Sequence, residues 1–167
     1  MRWTFGVGLR DVASWSEIET QAPELSALAR GFLDAYVHKT LATLRRDGSP
    51  RISGSEVIFA DGELWLGSMW QSMKARDLQR DPRFALHSGS PDPDVWRGDA
   101  KLAGRAEEID DEARRAEILG GKGGPGPAHL FRCDITELVV VSLPDPPEFL
   151  VIESWHEGRG VTRIERR

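Results

Sequence analysis

Residues 40–88 read TLATLRRDGSPRISGSEVIFADGELWLGSMWQSMKARDLQRDPRFALHS. Apolar runs flank two dipeptides in this stretch, Asp47-Gly48 and Asp61-Gly62. Asp-Gly between strand-like runs is a strong signal for a β-hairpin. The stretch therefore predicts three antiparallel strands, at 41–45, 51–60 and 63–69.

A short helix is predicted next, at 71–80, because a helical pattern with Ser72 and Lys74 in its first turn is stopped by Asp81-Pro82. A fourth strand is expected at 84–87. The free N–H groups and the dipole of a helix start favour anions, so this helix start predicts a phosphate site. The same spacing also fits a helix in which Ser72 is only the N-cap and Lys74 is solvated.

The order of these features resembles the pyridoxamine 5′-phosphate oxidase-like, FMN-binding split-barrel family. The resemblance lies in LATLRRDGSPR, in the strand that ends in GSM, in SMK at the helix start and in RDLQRDPRFAL. It implies a mainly β fold with flanking helices, a six- to eight-stranded antiparallel split barrel. It also implies a homodimer in which each flavin lies at the interface and contacts both chains.

The resemblance assigns cofactor roles to residues of the central stretch. Ser72 and Lys74 would hold the FMN phosphate, Arg51 would assist them, and Ser68 would face the ring system. Met73 stands where the family often has Arg, so one phosphate donor of the family pattern is missing.

Further cofactor contacts are expected on the second strand and near the C-terminus. Alternation places Arg51 and Ser53 on one strand face, which is either solvated or holds a polar ligand, and Ile52 lies between them. The resemblance places Trp155 against the flavin and Arg163 near flavin or substrate. The Arg-x-His-Asp substrate motif of the true oxidases is absent, which argues against pyridoxamine phosphate as the substrate.

Three functions follow as hypotheses. The first is an FMN-dependent oxidoreductase with a small-molecule substrate, in which the cofactor carries the chemistry. The second is a reductase of the same fold that uses the deazaflavin F420, whose acidic tail would find basic partners near the C-terminus in Arg159, Arg163, Arg166 and Arg167. The third is a flavin- or haem-binding module without catalysis, as Met73 and the missing substrate motif suggest.

The length predicts a single domain over 1–167. The family resemblance implies that this domain is a split barrel. The 27 acidic and 22 basic residues give a net charge of −5 and no reason to expect a nucleic-acid partner. With a single cysteine, Cys133, and four scattered histidines, we expect no metal site. No apolar run is long enough to span a membrane and no signal peptide is evident, so we expect a cytoplasmic protein.

The remaining segments predict the elements around this stretch. Residues 1–21 show no sustained period and are expected to form an N-terminal arm on the barrel or on a partner subunit, and 120–128 a mobile Gly/Pro loop. An amphipathic helix at 24–36, with Pro23 in its first turn, should cover the sheet. A second short helix should begin at Asp110 or Asp111 and end at Gly120-Gly121. Strands are expected at 100–109, 130–135, 138–143 and 149–155.

Overall fold

The computed structural model describes residues 12–121 and 126–167. Four helices and nine strands form within these residues. They are, in chain order, α1 (Trp15–Gln21), α2 (Pro23–Asp34), β1 (Lys39–Leu44), β2 (Pro50–Ser55), β3 (Val57–Ala60), β4 (Glu63–Met69), α3 (Met73–Arg80), β5 (Arg83–His87), β6 (Gly98–Glu108), α4 (Glu112–Leu119), β7 (Ala128–Ser142), β8 (Leu150–His156) and β9 (Gly160–Arg166).

The strands form one antiparallel sheet with the order β2-β1-β5-β6-β7-β4-β3, and the β8–β9 hairpin pairs with β7. This strand order begins with β2 and ends with β3, and only Glu56 separates these two strands in sequence. The sheet must therefore curve back on itself into a barrel. The mainly β split-barrel fold is confirmed, with nine strands in the described part rather than six to eight.

The two Asp-Gly turns lie where the sequence places them. Asp61 and Gly62 both have positive φ, 53° and 76°, and they join the paired residues Ala60 and Glu63 as a two-residue hairpin turn requires. Residues 45–49, which include Asp47-Gly48, join β1 to β2. The three strands do not form a simple meander, because the predicted strand 51–60 breaks at Glu56 and its halves pair with different neighbours.

Long-range pairing changes two other predicted elements. The predicted strands 130–135 and 138–143 are one strand, β7, because β6 pairs along almost its whole length. The pairing between β6 and β7 continues past a register shift, which lies between Ala103 and Gly104 of β6. Residues 160–166, for which the sequence analysis predicts no strand, pair with β8 as strand β9.

The N-terminal arm is corrected over the residues described. Ser14 and Glu17 form a capping box that starts α1, and Trp15 and Ile18 are buried against the barrel. Residues 1–11 of the expected arm lie outside the described residues.

The other helices begin where their capping signals place them. Helix α2 begins at Pro23, and α4 is capped by Asp111 and ends at Gly120, whose φ is 53°. Residues 122–125 of the expected Gly/Pro loop lie outside the described residues, and Ala128 already belongs to β7. Within the described ranges, no helix is both long and apolar enough to cross a membrane.

Candidate functional site

A cavity of about 340 Å³ opens where β2, β3, β4 and the start of α3 meet. One side of the cavity carries polar groups, among them Ser68, Lys74 and Glu56. The other side is apolar, with Ile58, Leu119 and Ala128. The cavity lining therefore combines charged groups with apolar side chains, as ligand pockets commonly do.

The polar end is built by the connection from β4 to α3. Ser72 is the N-cap of α3, and its Oγ accepts the backbone N–H of Ala75 at 3.3 Å. The hydroxyl of Ser68, at the end of β4, lies 2.6 Å from that of Ser72. The N–H groups of Met73 and Lys74 belong to the first helical turn, where the helix itself supplies no acceptor. We call the two hydroxyls, these two N–H groups and the Lys74 ammonium the anion cradle.

Lys74 is held in place rather than freely solvated. Its Nζ donates to the carbonyl oxygen of Gly54 at 2.7 Å, which leaves two of its three donors for a ligand. Burial lowers the pKa of Lys74 below its usual 10.5, and the Glu56 carboxylate opposes that shift. Ser72 is therefore the N-cap of α3, and Lys74 lines the cavity instead of being freely solvated. The phosphate site at this helix start stays a prediction.

Arg51 does not join the cradle. Its Nε donates to Oδ2 of Asp77 at 2.6 Å, and the same buried carboxylate accepts from Thr43 Oγ1 at 2.9 Å and from Arg80 at 3.0 Å. Burial alone would raise the pKa of Asp77, but the hydrogen bonds from Arg51, Arg80 and Thr43 outweigh it and hold the pKa below 3.8. The expected assistance of Arg51 to a phosphate is corrected, since its guanidinium ties β2 to α3 instead.

Three predicted contacts lie beside the cavity and are not part of its lining. Ile52 is 74% exposed, Met73 is also exposed, and Ser53 is half-buried on the same strand face as Arg51. Their expected roles toward a cofactor stay predictions.

The two predicted C-terminal contacts lie elsewhere. Trp155 is fully buried in the core, at 0% exposure, and its Nε1 donates to Gln21 Oε1 at 3.1 Å. The prediction that Trp155 lies against the flavin ring is wrong for this chain, because the indole has no exposed face. Arg163 lies on the exposed strand β9, 3.3 Å from Glu165, and does not line the cavity.

His129 is the residue at this site that the sequence analysis missed. It lies opposite Ser68 in the β4–β7 pairing and is only 1% exposed. Its Nε2 accepts the backbone N–H of Gln71 at 3.1 Å, and its Nδ1 lies 2.5 Å from Glu108 Oε1. No local sequence pattern predicts this role, because His129 is 58 residues from Gln71 and 21 residues from Glu108 in the sequence.

The fold and the site together define an antiparallel split barrel with an anion cradle between a strand end and a helix start. The chain belongs to the pyridoxamine 5′-phosphate oxidase family, whose sequence model matches residues 27–141. No curated protein sequence matches the chain significantly.

Solved structures with the same fold include three with low sequence identity. A conserved hypothetical protein from Mycobacterium tuberculosis is 24% identical with a TM-score of 0.53, over 64% of this chain and 77% of that one. ChuZ from Campylobacter jejuni is 14% identical with a TM-score of 0.65, over 85% of this chain but 63% of ChuZ. HutZ, the haem storage protein from Vibrio cholerae, is 19% identical with a TM-score of 0.51, over 69% and 89%. These likenesses concern the fold.

Proposed function

We propose that this protein is an FMN-dependent oxidoreductase that acts on a small-molecule substrate. The observation that carries the proposal is the anion cradle, in which Ser68 and Lys74 line one cavity and the hydroxyl of Ser72 lies 2.6 Å from that of Ser68. Family membership supports it, because the cradle occupies the position at which the resemblance places the cofactor phosphate.

The chemistry of the donors fits a phosphate group. An ammonium, two hydroxyls and the first-turn N–H groups of a helix are charge-assisted or dipole-assisted donors to an oxyanion. The apolar wall formed by Ile58, Leu119 and Ala128 suits a planar aromatic ring. The cavity volume of about 340 Å³ lies at the low end of the range of about 300–1,000 Å³ for small-molecule sites.

The residues of this chain would bind and orient the cofactor. Lys74 would neutralise phosphate charge, and its desolvation strengthens that attraction because little water competes for the ammonium. Burial lowers the pKa of Lys74, and the Glu56 carboxylate opposes that shift by favouring the charged ammonium. When bound, FMN supplies the two-electron redox chemistry, so the protein needs no acid–base pair of its own for that step.

A second copy of the chain would complete the site. The cavity is open, and four exposed apolar side chains flank it or its neighbouring segments: Ile52, Met69, Trp70 and Met73. Clustered exposed apolar residues are typical of interaction surfaces. We infer a homodimer with the cofactor at its interface.

A flavin- or haem-binding module without catalysis is the second candidate. It is favoured by the loss of cationic donors, because Arg51 is bound to Asp77 and Met73 replaces the family arginine. The fold shared with the haem storage protein HutZ is consistent with it.

The test is a visible absorption spectrum of the purified protein, followed by titration with FMN, F420 and haem. Saturable FMN binding and reduction of the bound flavin by a nicotinamide donor support the oxidoreductase. FMN bound without turnover, or haem bound in its place, supports the module, and preference for F420 over FMN supports the deazaflavin reductase.

Lys74→Ala tests the cradle directly. Loss of a charge-assisted hydrogen bond should weaken FMN binding by about 1.5–3 kcal/mol, which is about 10- to 150-fold. Lys101→Ala is the matched control, because Lys101 is a half-exposed strand lysine that pairs with Asp99 and does not line the cavity. Equal FMN affinity in Lys74→Ala and wild type would remove Lys74 from the site.

A further inference from the structure

We propose that His129 is a positioning residue for the anion cradle, and that it works only as the neutral imidazole. The ring would hold the segment Trp70-Gln71 so that Ser72 and the first turn of α3 face the ligand. The inference rests on the proposed function, because it concerns the same cradle.

Hydrogen bonding fixes the state of the ring. Nε2 accepts the backbone N–H of Gln71 at 3.1 Å, so Nε2 carries no proton. The single proton of the neutral ring is then on Nδ1, which donates to Glu108 Oε1 at 2.5 Å. A protonated ring has two donors and no acceptor, so it would turn an N–H toward the N–H of Gln71.

The segment that the ring contacts needs such support. Gln71 has a φ of 58°, a conformation that non-glycine residues adopt only at a cost in free energy. The indole of Trp70 stacks on the imidazole, with centroids 4.6 Å apart and planes 9° from parallel. Ser72 is the next residue and caps α3. A change in the backbone conformation of Gln71 would therefore displace the Ser72 hydroxyl of the anion cradle.

The main chain of His129 also meets the other half of the cradle. His129 is paired with Ser68 in the β4–β7 ladder, and the hydroxyl of Ser68 contacts that of Ser72. The side chain of His129 thus supports the segment before Ser72, while the main chain of the same residue is paired with the strand position of Ser68.

Charged groups from three elements surround this arrangement. Glu108 of β6 accepts from the ring, Arg115 of α4 acts on Glu108, and Arg76 of α3 donates to the Gln71 side chain at 3.0 Å. The Glu108 carboxylate also accepts from the Gln79 amide at 2.7 Å, so it is held in place as the acceptor for the Nδ1 proton of the ring.

The decisive measurement is the FMN dissociation constant at about pH 8 for wild type, His129→Gln and His129→Leu. Glutamine can accept from the Gln71 N–H and donate to Glu108, whereas leucine can do neither. His129→Leu should lose about 5- to 100-fold in affinity, as expected for a broken buried hydrogen bond, and His129→Gln should keep most of the wild-type affinity.

The outcomes separate the inference from the proposed function. Equal FMN affinity in wild type and His129→Leu overturns the inference alone. A wild-type chain that binds no FMN at pH 8 overturns the proposed function and the inference together.

One further experiment does not depend on the folding of a variant. Imidazole ¹H–¹⁵N correlation spectra of the wild-type protein without cofactor should show His129 protonated on Nδ1 and bare on Nε2, and the opposite tautomer overturns the inference.

Discussion

Asp77 determines what Arg51 can do. It is 1% exposed, yet it lies on α3 between the buried apolar residues Ala75 and Leu78. A buried carboxylate must be paired and hydrogen-bonded, and Arg51, Arg80 and Thr43 together meet that need. The arginine that the family resemblance assigns to the phosphate is therefore used to fasten α3 to the barrel.

Removal of this carboxylate should destabilise the fold strongly. We expect Asp77→Ala to lower the free energy of unfolding by about 3–5 kcal/mol, because Arg51 loses the partner of a largely buried ion pair. Urea unfolding at pH 7 measures this change in the free energy of unfolding. Asp34→Ala is the control, since the exposed Arg30–Asp34 pair on α2 should contribute only about 0.3–0.5 kcal/mol. Similar losses in the two variants would show that the Asp77 cluster is not a main support of the fold.

The same carboxylate predicts a dependence on pH. The folded-state pKa of Asp77 lies below its usual 3.8, so its contribution to stability is present above pH 3.8 and is lost as the pH falls through the lower folded value. The stability difference between wild type and Asp77→Ala should therefore shrink only in this acidic window. A difference that already declines between pH 7 and 5 would contradict the assignment.

Strand β6 has a glycine at its register shift, where there is no room for a side chain. A Cβ on Gly104 would lie 2.2 Å from the carbonyl oxygen of Asp134 on β7, a contact that backbone atoms cannot relieve cheaply. We expect Gly104→Ala to cost about 1–3 kcal/mol of unfolding free energy, as overpacking does. Gly54→Ala is the matched control, because nothing lies within 4 Å of a Cβ there. Equal thermal stability of the two variants would contradict the close approach.

Local signals explain which elements the sequence predicts well. The Asp61-Gly62 turn, Pro23 and the Asp111 cap act within a few residues, and the strands and helices beside them lie within about two residues of prediction. The break at Glu56, the continuity of β7 and the pairing of β9 depend on partner strands distant in sequence. No local pattern encodes such partners.

The same distinction applies to the candidate site. Ser68, Ser72 and Lys74 come together as expected because seven residues of one strand–helix connection carry all three. The contacts of Arg51 with Asp77 and of His129 with Glu108 were not predicted, because these partners approach each other only in the folded chain. Trp155 was misplaced because a strand residue can face the core or a ligand, and the motif alone does not decide which.

At the scale of the whole molecule, one chain leaves the site half open. Met69 lines the cavity and is 75% exposed, and Ile52 and Met73 are exposed next to residues of the cavity or the cradle. Exposure of this much apolar surface around a ligand site is unfavourable for a monomer in water. A second copy that covers this surface would bury it and enclose the ligand at the same time.

The homodimer predicts that assembly and cofactor binding fail together. The 18.6 kDa chain should sediment at twice that mass, and Ile52→Asp should shift it toward the monomer by placing a charge in an apolar contact. FMN affinity should fall in the same variant, although the side chains of the cradle are unchanged. Val95→Asp is the control, because Val95 is exposed in the loop between β5 and β6 and does not line the cavity. Sedimentation equilibrium measures the mass and a fluorescence titration measures the FMN affinity, and an Ile52→Asp monomer that binds FMN as tightly as wild type would contradict the shared site.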